Sequence, residues 1–285
     1  MRPKYKQGRS IDDPTVLGLL SLKLSPSIAN ELKDDEFCNI YHKWISSNTS
    51  NKIVGLDNFL YRAYSQGTTE SFDKFYVRHA KRRFRIWRGE YAYHRIMLNS
   101  GLDWCWLDDE PVKPNDVVII SIPFADSGND YRYTETLEQC EALEVPVLVD
   151  LCWFGTCYDL TVNLKYSCIQ EVVFSLSKTF PVSRLRIGMR YSKRYENYDG
   201  LFAYRRDHYL NYHSQTVGMA LMLAFSSDYI VDTYKTAQLN LCYELGVEPS
   251  NSVCLATGDD SWSHLNRGGT HNRLCLSEEL LCNAS

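Results

Sequence analysis

The chain has 285 residues, of which 44% are hydrophobic and 23% charged, with a formal net charge of −4 and ten cysteines. That length supports one sizeable core with a smaller lobe, and so small a net charge leaves no electrostatic footprint for nucleic acid or an acidic membrane surface. The cysteines form no C-x-x-C pair and no metal-ligand spacing, so they are expected to be reduced, mostly buried and without metal. The opening MRPKYKQGRSIDDP lacks an apolar signal region and no window holds the roughly 18 apolar residues of a membrane span, so a cytoplasmic location is expected.

In chain order, the polar residues up to Asp13 lead into a leucine-rich segment, Pro14 to Leu24, and Ser25-Pro26-Ser27 has the form of a helix start. Glu36 to Trp44 is predicted helical and Ser46 to Asn51 a loop. Leu56 to Ser65 runs into Gln66-Gly67-Thr68-Thr69-Glu70, after which Phe72, Phe75 and Tyr76 recur at helical spacing. Gly67, Thr68 and Thr69 therefore open a helix, where backbone N–H groups suit a phosphate; Thr68 or Thr69 serving simply as an N-cap is the alternative. The basic run His79 to Arg85 is expected to be a solvated helix end.

Arg83 to Trp87 reads as a strand, Trp104 and Trp106 alternate, and Asp116 to Ile122 is a buried strand that ends in Pro123-Phe124-Ala125-Asp126-Ser127-Gly128. Glu135 to Leu143 is a connecting helix, which makes the connectivity βαβ and the sheet mainly parallel. Val145 to Val149 is a strand with Asp150 at its carboxyl end, where open α/β sheets place ligands. Val172-Val173-Phe174 leads into Ser175-Leu176-Ser177-Lys178, and Arg184-Leu185-Arg186-Ile187-Gly188 follows closely. Ser214 to Ala224 and Asp232 to Leu245 are apolar helices, and Gly269 to Leu276 closes the pattern.

A lysine held near apolar strands loses hydration, which lowers its pKa and frees its amine to attack a carbonyl. Pyridoxal phosphate needs such an amine, an acid to keep its ring nitrogen protonated, and cations or hydroxyls for its phosphate. Lys178, Asp150, Arg186, Ser175 and Ser177 supply that set. In the order Asp at a strand end, Ser-x-Ser-Lys, then Arg-x-Gly eight residues past the lysine, the chain resembles the fold type I pyridoxal-phosphate enzymes, in particular the aspartate aminotransferase superfamily.

The resemblance implies that Lys178 carries the internal aldimine, Asp150 pairs with the ring nitrogen, and Ser175, Ser177 and Arg186 hold the phosphate with Gly67, Thr68 and Thr69. It implies a stacking aromatic at Tyr91, with Tyr93 second, and a substrate-carboxylate arginine at Arg273, with Arg267 as rival. Three positions depart from the family. The asparagine that donates to the cofactor's phenolic oxygen falls on Ala125 and the next proline on Asp126, and the tyrosine three residues after the aspartate is Trp153, whose indole N–H is a donor that can stand in for the phenol.

The expected fold is α/β: a mainly parallel central sheet with helices on both faces and a reduced C-terminal α/β lobe. Residues 1–50 form an N-terminal segment, 51–213 the large cofactor-binding domain, and 214–285 the long helices and small lobe. The function implied is a pyridoxal-phosphate-dependent aminotransferase acting on an amino acid and a 2-oxo acid as a homodimer. The alternatives are a decarboxylase, lyase or oxidase with the same cofactor, or a non-catalytic binding protein of the same fold.

Overall fold

A computed structural model describes residues 4–6, 8–21 and 34–282; the helix start expected at Ser25-Pro26-Ser27 lies outside them. Two short parallel strands, β1 (Lys52–Val54) and β7 (Thr161–Asn163), pair with each other. The central sheet is built from β2 (Tyr61–Gln66), β3 (Arg83–Ile86), β4 (Trp104–Trp106), β5 (Asp116–Ser121), β6 (Val147–Asp150), β8 (Ile169–Ser175) and β9 (Ile187–Ser192). Its order is β2-β9-β8-β6-β5-β3-β4. Every pairing from β8 to β4 is parallel, and β9 alone runs antiparallel to both of its neighbours.

The continuous apolar runs explain the middle of this sheet, because β5 and β6 are buried along their whole length and a strand covered on both faces has no polar side. Side chains alternate between faces at period two. Val117, Ile119, Leu148 and Val173 meet Phe72 and Phe75 of α3 (Gly67–Arg78) and Leu98 of α4 (Ala92–Leu98). Val118, Ile120, Val147, Val149 and Val172 face the other way, with Phe37 of α2 (Asp34–Ser46), Leu137 of α5 (Tyr133–Ala142), Val217 of α8 (Tyr212–Ala224) and Tyr234 of α9 (Tyr229–Leu245). Helices thus cover both faces.

After α9, which ends on left-handed Gly246, an antiparallel sheet of β10 (Glu248–Pro249), β11 (Leu255–Gly258) and β12 (Asn272–Cys275) forms the small C-terminal lobe. The remaining helices are short: α1 (Pro14–Leu20), α6 (Leu176–Thr179), α7 (Gly200–Arg206) and α10 (Glu279–Cys282).

Strand register sets out the carboxyl edge of the sheet. Ser121 pairs with Asp150, Asp150 with Val173, and Ser175 with Gly188, while Gln66 pairs with Ile187. Because β9 is antiparallel, its first residues arrive at the edge where β2, β5, β6 and β8 finish. One row therefore brings together the ends of five strands.

The basic run at His79–Arg85 is not a solvated helix end. α3 stops at Arg78, and Arg85 is wholly buried on β3, where its Nη1 donates to the Asp116 carboxylate and to Pro111 O at 3.0 Å. Arg83 Nε donates to the same carboxylate at 2.8 Å. The counter-ion stands on the neighbouring strand β5, out of sight of any local reading. Cys140, Cys157, Cys168, Cys242, Cys254 and Cys275 are free thiols in buried positions, and Cys38 is buried as well, as composition suggested. Among the described residues no helix is long and apolar enough to cross a membrane.

Candidate active site

The turn from β2 into α3 and the approach to β9 meet at one end of a cavity. Gly67 has φ of +72° and lies against the Arg186 guanidinium, so a Cβ there is excluded both by backbone conformation and by contact. Arg186 is itself left-handed at φ 56°, a costly conformation for a non-glycine residue. It is held by Tyr64 Oη donating to its carbonyl at 2.9 Å, by its Nη2 donating to Thr69 Oγ1 at 2.8 Å and by its Nη1 donating to Ser183 O at 3.2 Å. Ser175 is the N-cap of α6 and accepts from Ser177 N at 3.1 Å. Its single hydroxyl proton is shared between Ser177 Oγ at 2.9 Å and Ile187 O at 3.0 Å. A guanidinium, two helix N-termini and small hydroxyls therefore converge there.

In the middle of the cavity stand Asp150, at the end of β6, and Lys178, on α6. Asp150 is 6% exposed, and its Oδ1 accepts from Cys152 N at 2.9 Å. Burial pushes its carboxyl up to about 7, with the charge of Glu90 adding to the rise and Lys178 offsetting it. Burial likewise lowers the Lys178 amine from its usual range. Lys178 Nζ donates to Gly8 O at 2.7 Å and lies 4.9 Å from the centre of the Trp153 ring. Trp153 thus turns its aromatic face to the lysine.

Glu90, which sequence reasoning passed over, is buried and tied to the end of β5: it accepts from Ser121 N at 2.9 Å and from Ser121 Oγ at 2.6 Å. Burial lifts it to about 7 in spite of those hydrogen bonds. Tyr91 lines the cavity, and its ring stacks on Tyr93 at 6.1 Å. Tyr93 instead points its hydroxyl at Asp73 Oδ1, 2.8 Å away, so of the two tyrosines Tyr91 is the one that lines the cavity.

The far end carries two arginines rather than a choice between them. Arg273, on β12, is 4% exposed, and Arg267 precedes it on the turn into that strand. Both donate through Nη1 to the carbonyl of Ala125, Arg267 at 3.2 Å. Burial, and after it the like charge of Arg267, lowers Arg273 to about 9. Neither is in an ion pair among the described residues, and Arg273 Nε is buried without a hydrogen-bond partner.

The two ends and the middle belong to one cavity of about 280 Å³. Its lining includes Thr68, Thr69, Tyr91, Asp150, Trp153, Ser175, Ser177, Lys178, Arg186, Arg267 and Arg273, with Gly67 directly behind Arg186. Four cationic side chains face it and one carboxylate, so it favours an anionic ligand with a single cationic point. Gly8, Ser121, Ala125, Cys152 and Ser183 complete the wall. No local signal marks Gly8 or Ser183.

No family model and no curated protein sequence matches the chain. Solved structures do. N-succinyldiaminopimelate aminotransferase from Mycobacterium tuberculosis superposes with a TM-score of 0.65 at 15% identity, over 99% of this chain and 91% of that one. Histidinol-phosphate aminotransferase from Sinorhizobium meliloti, in complex with pyridoxal-5'-phosphate, gives 0.62 at 13% identity over 99% and 89%. A PLP-bound C-S lyase from Staphylococcus hominis gives 0.63 at 12% identity over 98% and 85%. The chain therefore has the fold of the fold type I pyridoxal-phosphate-dependent aminotransferases. Within that fold, the similar structures include a lyase as well as aminotransferases.

Proposed function

We propose that this chain is a pyridoxal-phosphate-dependent enzyme that transfers the amino group of an amino acid to a 2-oxo acid, working as a cytoplasmic homodimer. The observation that carries the reading is the convergence of a buried amine, a buried carboxylate and a guanidinium beside a helix N-terminus on one cavity at the strand ends.

The donor set fits the cofactor. Arg186, Thr68, Thr69 and Ser177 suit a phosphate dianion through charged and helix-terminal hydrogen bonds. Asp150, whose carboxyl burial holds near 7, gives up its proton readily when a ring nitrogen presents a positive charge to it. Tyr91 offers a flat face for the ring. When bound, pyridoxal phosphate supplies the electron sink that stabilises a carbanion at the amino acid's α-carbon.

The chain's own residues do the rest. Lys178 Nζ, its proton affinity lowered by burial, anchors the cofactor and takes up the proton at the α-carbon. Asp150 keeps a negative charge where the ring nitrogen sits. Arg273 and Arg267 fix the substrate carboxylate through their planar forks, which orients the α-carbon toward Lys178. The buried walls keep water from the reacting centre.

A second reading, elimination or decarboxylation with the same cofactor, draws on Ala125 and Trp153. The Ala125 carbonyl is engaged by both arginines, and Trp153 presents its ring face to Lys178, so a conventional pair of donors to the phenolic oxygen is not assembled. Purified protein loaded with pyridoxal phosphate and given a panel of amino acids separates the readings. Accumulation of pyridoxamine phosphate without an oxo acid supports transfer. Release of carbon dioxide or of a side-chain fragment supports the second reading, and a protein that takes up no cofactor contradicts both and leaves a binding protein. Light scattering at micromolar concentration checks the dimer.

A further inference from the structure

Arg267, on the turn into β12, and Arg273, on β12 itself, follow the nearest strand-edge residue, Ile187, by about 80 residues or more, yet a productive site needs them placed closely. The loop after β5 holds them twice. The carbonyl of Ala125 takes a hydrogen bond from each guanidinium. The side chain of the next residue, Asp126, takes the backbone of their turn: its Oδ2 accepts from Thr270 N at 3.0 Å and His271 N at 3.0 Å, with His271 Nδ1 at 3.2 Å.

Asp126 is wholly buried, and among the described residues its Oδ1 has no hydrogen-bond partner. A buried carboxylate with one bare oxygen costs stability, so its presence calls for a task the fold alone does not set. Gly269 makes room for it: a Cβ at that position would collide with the Asp126 carboxylate. The loop, the glycine and the two amide donors form one clasp between the β5 loop and the small lobe.

We infer that Asp126 is the positioning residue of the carboxylate-binding end: it docks the 267–271 turn on the loop after β5 and so sets where Arg267 and Arg273 present their guanidinium groups to substrate. This rests on the amino-acid chemistry proposed above. It also gives a purpose to the aspartate that stands where the resembled family carries proline.

The test uses enzyme loaded with pyridoxal phosphate and the best substrate from the amino-acid panel. Asp126→Ala is expected to raise KM by about 10- to 100-fold while kcat and cofactor absorbance hold, since only the placement of the arginines is lost. Deuterium exchange at the Thr270 and His271 amides should quicken in the same variant. Asp126→Asn keeps an oxygen that accepts from both amides, so its KM should stay within about threefold of the parent. Gly269→Ala, which leaves the carboxylate in place and displaces the turn, should raise KM in the manner of Asp126→Ala and stands in for it if that variant does not fold. An unchanged KM in Asp126→Ala or Gly269→Ala overturns the inference. So does a fall in kcat and cofactor uptake in step with KM, or an Asn variant as impaired as the Ala variant. A parent protein that takes up no pyridoxal phosphate overturns instead the function on which the inference rests.

Discussion

At the strand edge, Asp150, Ser175 and Gly188 stand on neighbouring strands in fixed register, with Lys178 and Arg186 within three residues of them. At the other end of the same cavity, Arg267 and Arg273 are brought in by a separate small sheet and held by Ala125 and Asp126, more than 140 residues away in sequence. The first half is made by short-range order on a ladder of backbone hydrogen bonds. The second depends on a few side-chain contacts between distant segments. A site assembled in these two ways should lose chemistry when the first half is altered and substrate affinity when the second is.

The largest effect belongs to Asp150. Asp150→Asn keeps the shape and removes the charge, and losing one preorganised electrostatic group costs roughly 10²–10³ in kcat; steady-state kinetics on loaded enzyme read it. Stability of the cofactor-free protein should move the other way. A carboxyl held near 7 in the fold, against about 4 in the unfolded chain, keeps its proton across that window when folded and releases it when unfolded. Its stabilising contribution is whole below pH 4 and is lost as pH rises through 7. Asp150→Asn is therefore expected to melt several degrees above the parent at pH 8 and level with it at pH 4, and a melting series across pH decides it.

Arg186→Ala comes next. A charged hydrogen bond is worth about 1.5–3 kcal/mol, so the dissociation constant of pyridoxal phosphate should rise roughly 10- to 100-fold with kcat at saturating cofactor little changed. Equilibrium dialysis gives the constant directly. At the far end, Arg273→Gln should raise KM for the amino acid by about 10- to 100-fold and the less buried Arg267→Gln by about 3- to 10-fold, with cofactor absorbance intact in both. Loss of cofactor in either arginine variant would show that the two halves are not separable.

The same division governs how much the sequence discloses. The apolar runs around Asp116–Ser121 and Val147–Asp150 announce buried parallel strands, and the βαβ order announces the sheet, so the architecture and the Asp150, Lys178 and Arg186 positions are legible from residues close together in the chain. Tyr91 is legible with Tyr93 as competitor, and the structure separates them because Tyr93 finds Asp73. Contacts across the chain are not legible. Glu90 is marked only by its burial against Ser121, and Gly8 only by the 2.7 Å hydrogen bond from Lys178 across 170 residues. Arg85 misleads for the same reason, its partner Asp116 lying on the next strand of the sheet. Arg267 reads as a rival to Arg273 until both are seen on the Ala125 carbonyl.

The most direct measurement is borohydride reduction of the protein after loading with pyridoxal phosphate, followed by peptide mass mapping. One pyridoxyl group on Lys178, absent in Lys178→Ala together with the yellow absorbance, is the expected result. A label on another lysine, or none on a protein that remains folded, contradicts the assignment of this cavity as a pyridoxal-phosphate site.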